Sequence, residues 1–162
     1  MALATHSTFR DLERTLPRSE IVYPSSFADR VKYRFWRLYT PFHPVLRDTA
    51  INLGLASHSG RQNFLIGKIA PSLALTDVVH FLVSCGYGNH FIAWKDDGEV
   101  VSLRRLDGFM YQYHIRIFAD GEVRGHYEYT PECYPILHLK AVDQRDCRDE
   151  FLEILKGKII PA

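Results

Sequence analysis

A chain of 162 residues that is 46% hydrophobic suits one compact domain plus an appendage, and it can bury a core without metal or disulfide staples. Three cysteines, Cys85, Cys133 and Cys147, are odd in number and lack CxxC spacing, which argues against a disulfide framework or zinc ribbon and for a reducing cytoplasm. A net charge of +1 lacks the basic excess of most nucleic-acid-binding domains, and no stretch has the length of a bilayer span or the pattern of a secretory leader, so the expectation is a soluble, unsecreted protein without membrane association.

The charge is uneven. Residues 1–61 carry nine basic side chains against five acidic ones, so the remainder is mildly acidic, and the two parts face different partners or each other. Ser7 or Thr8 caps a short helix with Phe9, Leu12 and Leu16 on one face, ended by Pro17. A second helix runs from Ser25 or Ser26 to about Tyr39, with Phe27, Val31, Phe35 and Leu38 expected on its inner side and Pro41 beyond its end. Pro44 opens a third helix through Leu53, closed by Gly54. The small, polar segment from Ala56 to Arg61 is the candidate boundary, giving a helical N-terminal arm over 1–60 and an α+β domain over 61–162.

Beyond Gln62 the periodicity changes. A strand covers 63–69, Thr76 is expected to cap a helix carrying Val78, Val79, Phe81, Leu82 and Val83, and Gly86 stops it. Strands follow near 89–95, 99–106, 110–118 and 122–129, with Asp-Gly turns at Asp97-Gly98 and Asp120-Gly121 that mark hairpins. Asp146 caps a last helix through Lys156, presenting Phe151, Leu152 and Leu155 inward, and Gly157 ends it. The fold class is α+β: an antiparallel meander, in the order strand, helix, four strands, helix, with helices covering one face. In element order alone this resembles TATA-binding-protein-like and helix-grip domains, a likeness of topology that transfers no function.

The second hairpin determines a register. A three-residue loop, Ala119-Asp120-Gly121, sets Ile117, Ile115, Tyr113 and Tyr111 opposite Val123, Gly125, Tyr127 and Tyr129. The other face then pairs Arg116 with Arg124, His114 with His126 and Gln112 with Glu128, whereas a two-residue loop scrambles both faces. Two imidazoles across a sheet could hold a metal edge, share a proton, or bind a phosphate together with the two arginines. His114, His126 and Glu128 are therefore the candidate catalytic residues, and Gln112, Arg116, Arg124, Tyr113 and Tyr127 the candidate ligand contacts. The competing reading is the polar, wet face common to antiparallel sheets. The four tyrosines opposite read as core aromatics whose hydroxyls reach the rim.

In the second helix Arg30, Arg34 and Arg37 form a stripe beside Trp36, the pairing of guanidinium and ring that phosphate contact and base stacking use. No metal ligand is assigned, since His80, Cys85 and His90, or Cys133 and His138, have no recognised ligand spacing. No cofactor is expected either: Gly86-Tyr87-Gly88 opens a strand where a phosphate loop would open a helix, and GxSxG and HExxH are absent. The leading expectation is a non-enzymatic binding or interaction module whose partner is nucleic acid or a protein, with no oligomeric state implied. The alternative is a small His-dependent hydrolase or phosphodiesterase working through His114 and His126.

Overall fold

The computed structural model describes residues 12, 14–19, 21–55, 64–90, 93, 95–135 and 144–162. Among them lie four α-helices, α1 (Phe27–Tyr39), α2 (His43–Asn52), α3 (Leu75–Ser84) and α4 (Arg148–Ile154). Six strands, β1 (Leu65–Ile69), β2 (Gly88–Asn89), β3 (Glu99–Asp107), β4 (Tyr111–Phe118), β5 (Glu122–Tyr129) and β6 (Ile159–Pro161), form one sheet in the order β2-β3-β4-β5-β1-β6. Every pairing between them is antiparallel, which makes this an α+β fold. No helix among the described residues is long and apolar enough to cross a membrane.

Turn chemistry sets the hairpins. Gly108, between β3 and β4, and Gly121, between β4 and β5, take φ of 69° and 84°, the left-handed region that a residue with a Cβ enters at a cost, whereas the turn at Gly98 leads into β3 without a strand immediately before it. The β4–β5 pairing matches the three-residue-loop register: Ile117 faces Val123, His114 faces His126, and Gln112 faces Glu128. Alternation then sends Val101, Leu103, Ile115, Ile117 and Val123 to one face. There they meet Val78, Val79 and Leu82 of α3 and Phe151 and Leu155 around α4, all fully buried. Burying each such side chain contributes about 1.5–3 kcal/mol, so this face is the hydrophobic core. Gly125 belongs to the same packing, because a Cβ built there would lie 2.6 Å from the Phe151 ring.

Several element expectations are corrected. Helix α3 begins at Leu75 after Ala74, with no side-chain cap, so Thr76 is already inside it. The strand expected over 89–95 is reduced to Gly88–Asn89; the described residues beyond it to Asp96 are not strand, and 91, 92 and 94 lie outside the described residues. Pro41 lies beyond the end of α1 as expected, in a 3-10 turn, Thr40–Phe42, that links α1 to α2, whose first turn holds Pro44. Strand β6 was not anticipated; it returns after Gly157 and pairs with β1 through Gly67, Lys68 and Ile69. The start of the first helix and the boundary over 56–61 lie outside the described residues, although Leu16 is buried in the core and Pro17 to Ser19 run beside β2. Gly88 makes that approach feasible, since a Cβ would collide with the Ser19 backbone.

The largest correction concerns the arm. Phe27, Val31, Phe35 and Leu38 face outward, at 77%, 51%, 52% and 74% exposure, while Trp36 is buried. Helix α1 packs through its opposite side: Tyr33 meets Phe109 edge-on at 6.3 Å, and Lys32 reaches the Tyr134 hydroxyl at 3.2 Å. Arg47 of α2 is half-buried among charges that include Asp96, Glu99 and Arg116. Helix α1 thus lies against the β3–β4 turn and Tyr134, while α2 brings Arg47 within electrostatic reach of the Arg116 carboxylate cluster.

Candidate functional site

That polar side is buried rather than wet. Ser102, Arg104, Gln112, His114, Arg116, Arg124, His126 and Glu128 are all at most 8% exposed. A buried charge is tolerated only when paired and hydrogen-bonded, and the pairs are present. Arg104, wholly buried, forks onto both oxygens of Glu132 at 2.9 and 2.7 Å, and also donates to Gln112 Oε1 at 3.1 Å and Ser19 Oγ at 2.5 Å. Arg116 is held by Glu99 and Asp96, and Arg124 by Glu122 at 3.2 Å. Burial alone would lower the Arg116 guanidinium, but its bonds to Glu99 and Asp96 outweigh that and keep it raised.

At the centre stand the two histidines. Four rings run in file across the sheet: His90 against His114 at 4.7 Å, His114 against His126 at 4.9 Å, and His126 against Phe64 at 5.3 Å. Phe64 reaches this place from a left-handed backbone with φ of 59°, where a residue with a Cβ is strained. Glu128 bridges the two imidazoles, with Oε1 at 3.2 Å from His114 Nδ1 and Oε2 at 3.2 Å from His126 Nε2. Gln112 Nε2 donates to Glu128 Oε1 at 2.8 Å, and Ser102 Oγ lies 2.8 Å from His114 Nε2. Burial pulls the His114 imidazole down to about 4 against the opposing pull of Glu128, so the ring is neutral at neutral pH. The ligating atoms of His114, His126 and Glu128 all lie within 4.8 Å of one another, a set able to hold a metal ion.

The sequence-predicted residues therefore divide. His114, His126, Glu128 and Gln112 form one cluster, while Arg116 and Arg124 share its face but are committed to carboxylates. Tyr113 and Tyr127 lie on the opposite face: Tyr113 meets Phe151 edge-on at 6.1 Å, and the Tyr127 hydroxyl reaches Asp107 at 2.8 Å at the rim. Trp36 is 2% exposed and packs against Tyr39 and His43, so it offers no ring for base stacking. Arg30, Arg34 and Arg37 are exposed and pair with no acid among the described residues. Sequence reasoning missed Ser102, Arg104, Glu132 and His90. Alternation with Val101 and Leu103 could have placed the first two on the His114 face, whereas Glu132 follows Pro131 outside any strand and carries no such signal. Comparison with known protein families, curated proteins and solved structures returns no match, so the functional argument rests on the geometry.

Proposed function

We propose that this chain is an interaction module that docks an acidic protein partner on the outward face of α1. The observation that carries the reading is the exposed stripe Phe27, Val31, Phe35 and Leu38 on α1, with Phe42, Val45 and Leu46 of the following turn and α2 also exposed at 63%, 68% and 47%. An exposed apolar helix face of this kind marks an interaction site, because each side chain forgoes part of the about 1.5–3 kcal/mol that full burial contributes. Arg30, Arg34 and Arg37 line one edge of the stripe, and the helix's one acid, Asp29, is bound to Lys32 and Ser26. A second copy of α1 brings no free acid to neutralise that edge, so a different chain with apolar anchors and an acidic rim fits better. Cytoplasmic residence, suggested by three unpaired thiols, belongs to the same proposal.

The test compares proteins retained by the wild-type chain and by Phe35→Asp/Leu38→Asp, followed by reconstitution with the purified partner. The double substitution is expected to weaken binding at least about 100-fold, since two anchors at interface centres are worth about 2 kcal/mol or more each. Identical retention by both proteins would reject the reading. Binding to generic RNA or duplex DNA that weakens with a slope near 0.9 per phosphate neutralised would instead favour nucleic acid. The hydrolase alternative is supported by the contact of both imidazoles with Glu128, but their burial ranks it second.

A further inference from the structure

We propose that His114, His126 and Glu128 form a binding site for one divalent transition-metal ion of the zinc class, held by His114 Nδ1, His126 Nε2 and the Glu128 carboxylate. The ligand chemistry suits this class, because two imidazoles with one carboxylate favour zinc, iron, cobalt or nickel over the oxygen-seeking magnesium and calcium. The spacing suits it too. Metal–ligand bonds of about 2.0–2.1 Å at the tetrahedral angle put neighbouring ligand atoms roughly 3.3 Å apart; His114 Nδ1 lies 3.2 Å from Glu128 Oε1, His126 Nε2 lies 3.2 Å from Oε2, and the three ligand atoms fall within 4.8 Å of one another, so side-chain shifts of roughly 1 Å close the set.

A second observation is independent of the spacing. His126 Nε2 is buried, yet its contact with Glu128 Oε2 does not meet hydrogen-bond geometry, so the nitrogen lacks the partner that a buried polar atom normally has. A cation between nitrogen and carboxylate supplies one. The surroundings are those of a metal site: with Nδ1 ligating, His114 Nε2–H donates to Ser102 Oγ, and Gln112 fixes the carboxylate from behind while itself accepting from Arg104. Arg104 and Arg116 are matched to their own carboxylates, which limits their repulsion of an added cation. The three ligands sit on adjacent strands β4 and β5, paired as His114 with His126 and Gln112 with Glu128, so the site needs no rearrangement of the sheet. This departs from the sequence expectation of no metal ligand, and it stands or falls separately from docking on α1.

The experiment uses the full chain stripped of metal by chelator and titrated with Co2+ and Zn2+, following Co2+ visible absorption and competition with a chromophoric chelator. One equivalent is expected to bind, with affinity falling at least about tenfold in Glu128→Gln and in His126→Gln. His80→Gln, at an exposed helix position, is expected to bind like the wild type. Circular dichroism reports whether each variant is folded. Should either ligand variant fail to fold, the ring-nitrogen resonances of the wild-type protein decide: Zn2+ must shift those of His114 and His126. A folded wild-type chain that takes up no equivalent, variants that bind as well as wild type, or unshifted ring nitrogens would each overturn the proposal.

Discussion

Arg104 provides the sharpest test of the buried polar layer. Replacing it by Met keeps the aliphatic stem but removes four hydrogen bonds: two to Glu132, one to Gln112 and one to Ser19. Glu132 is then left with its side chain 2% exposed and no guanidinium, and Gln112 Oε1 loses its donor. Breaking a buried pair on one side costs about 3–5 kcal/mol, because the surviving charge keeps its desolvation penalty without its partner. Domains have about 5–15 kcal/mol in total, so Arg104→Met is expected to remove about a fifth or more of the stability. In urea, at a slope of about 2 kcal/mol per molar, the unfolding midpoint falls by about 1.5–2.5 M. The double variant Arg104→Met/Glu132→Met removes both charges, and it is expected to be more stable than Arg104→Met alone. The assay is urea denaturation followed by far-ultraviolet circular dichroism at pH 7. A single-variant loss under about 1 kcal/mol, or a double variant as weak as the two losses added, would refute the claim that this pair is buried and coupled.

Three further outcomes follow from other parts of the structure. Gly125→Ala drives a methyl to within 2.6 Å of the Phe151 ring and 3.0 Å of Ile66 Cδ1, so it is expected to cost about 1–3 kcal/mol by thermal melting, with part of the loss recovered by Phe151→Leu. In the metal-free protein His114 titrates near 4 when folded and near 6.5 when unfolded. A lowered folded value means that its contribution is complete above about pH 6.5 and lost as pH falls towards 4, a total of about 3 kcal/mol; denaturation at stepped pH measures it, and an unchanged acid limb in His114→Gln would contradict it. Burial pushes the Cys147 thiol up to about 12 and raises Cys133 as well, whereas Cys85 is partly exposed. Alkylation of native protein at pH 8 is therefore expected to modify Cys85 first, and a fast phase that persists in Cys85→Ser would count against the placement of the other two.

Much of the sheet was legible because its determinants are local. Gly98 and Gly121 announce their turns by the positive φ that each turn needs, and alternation along 111–129 leaves only the three-residue loop able to keep both faces consistent. The pairing of His114 with His126 and of Gln112 with Glu128 followed from that register. Its environment did not. A polar strand face looks the same in sequence whether water or another element covers it, so the burial of Arg104, His114 and Glu128 could not be read from the strands themselves. The arm was undecidable in the same way: periodicity says that Phe27, Val31, Phe35 and Leu38 share a side, but the opposite side of α1 carries Tyr33, Trp36 and Tyr39, and both are apolar enough to pack. Glu132, from a turn outside the strands, made Arg104 affordable in the interior, and β6 closed the β1 edge only after α4 had returned the chain to it. Local sequence determined which residues line up together, while the choice of which face to bury was made by long-range ion pairs and ring contacts, whose partners are far apart in the chain and leave no periodic signal.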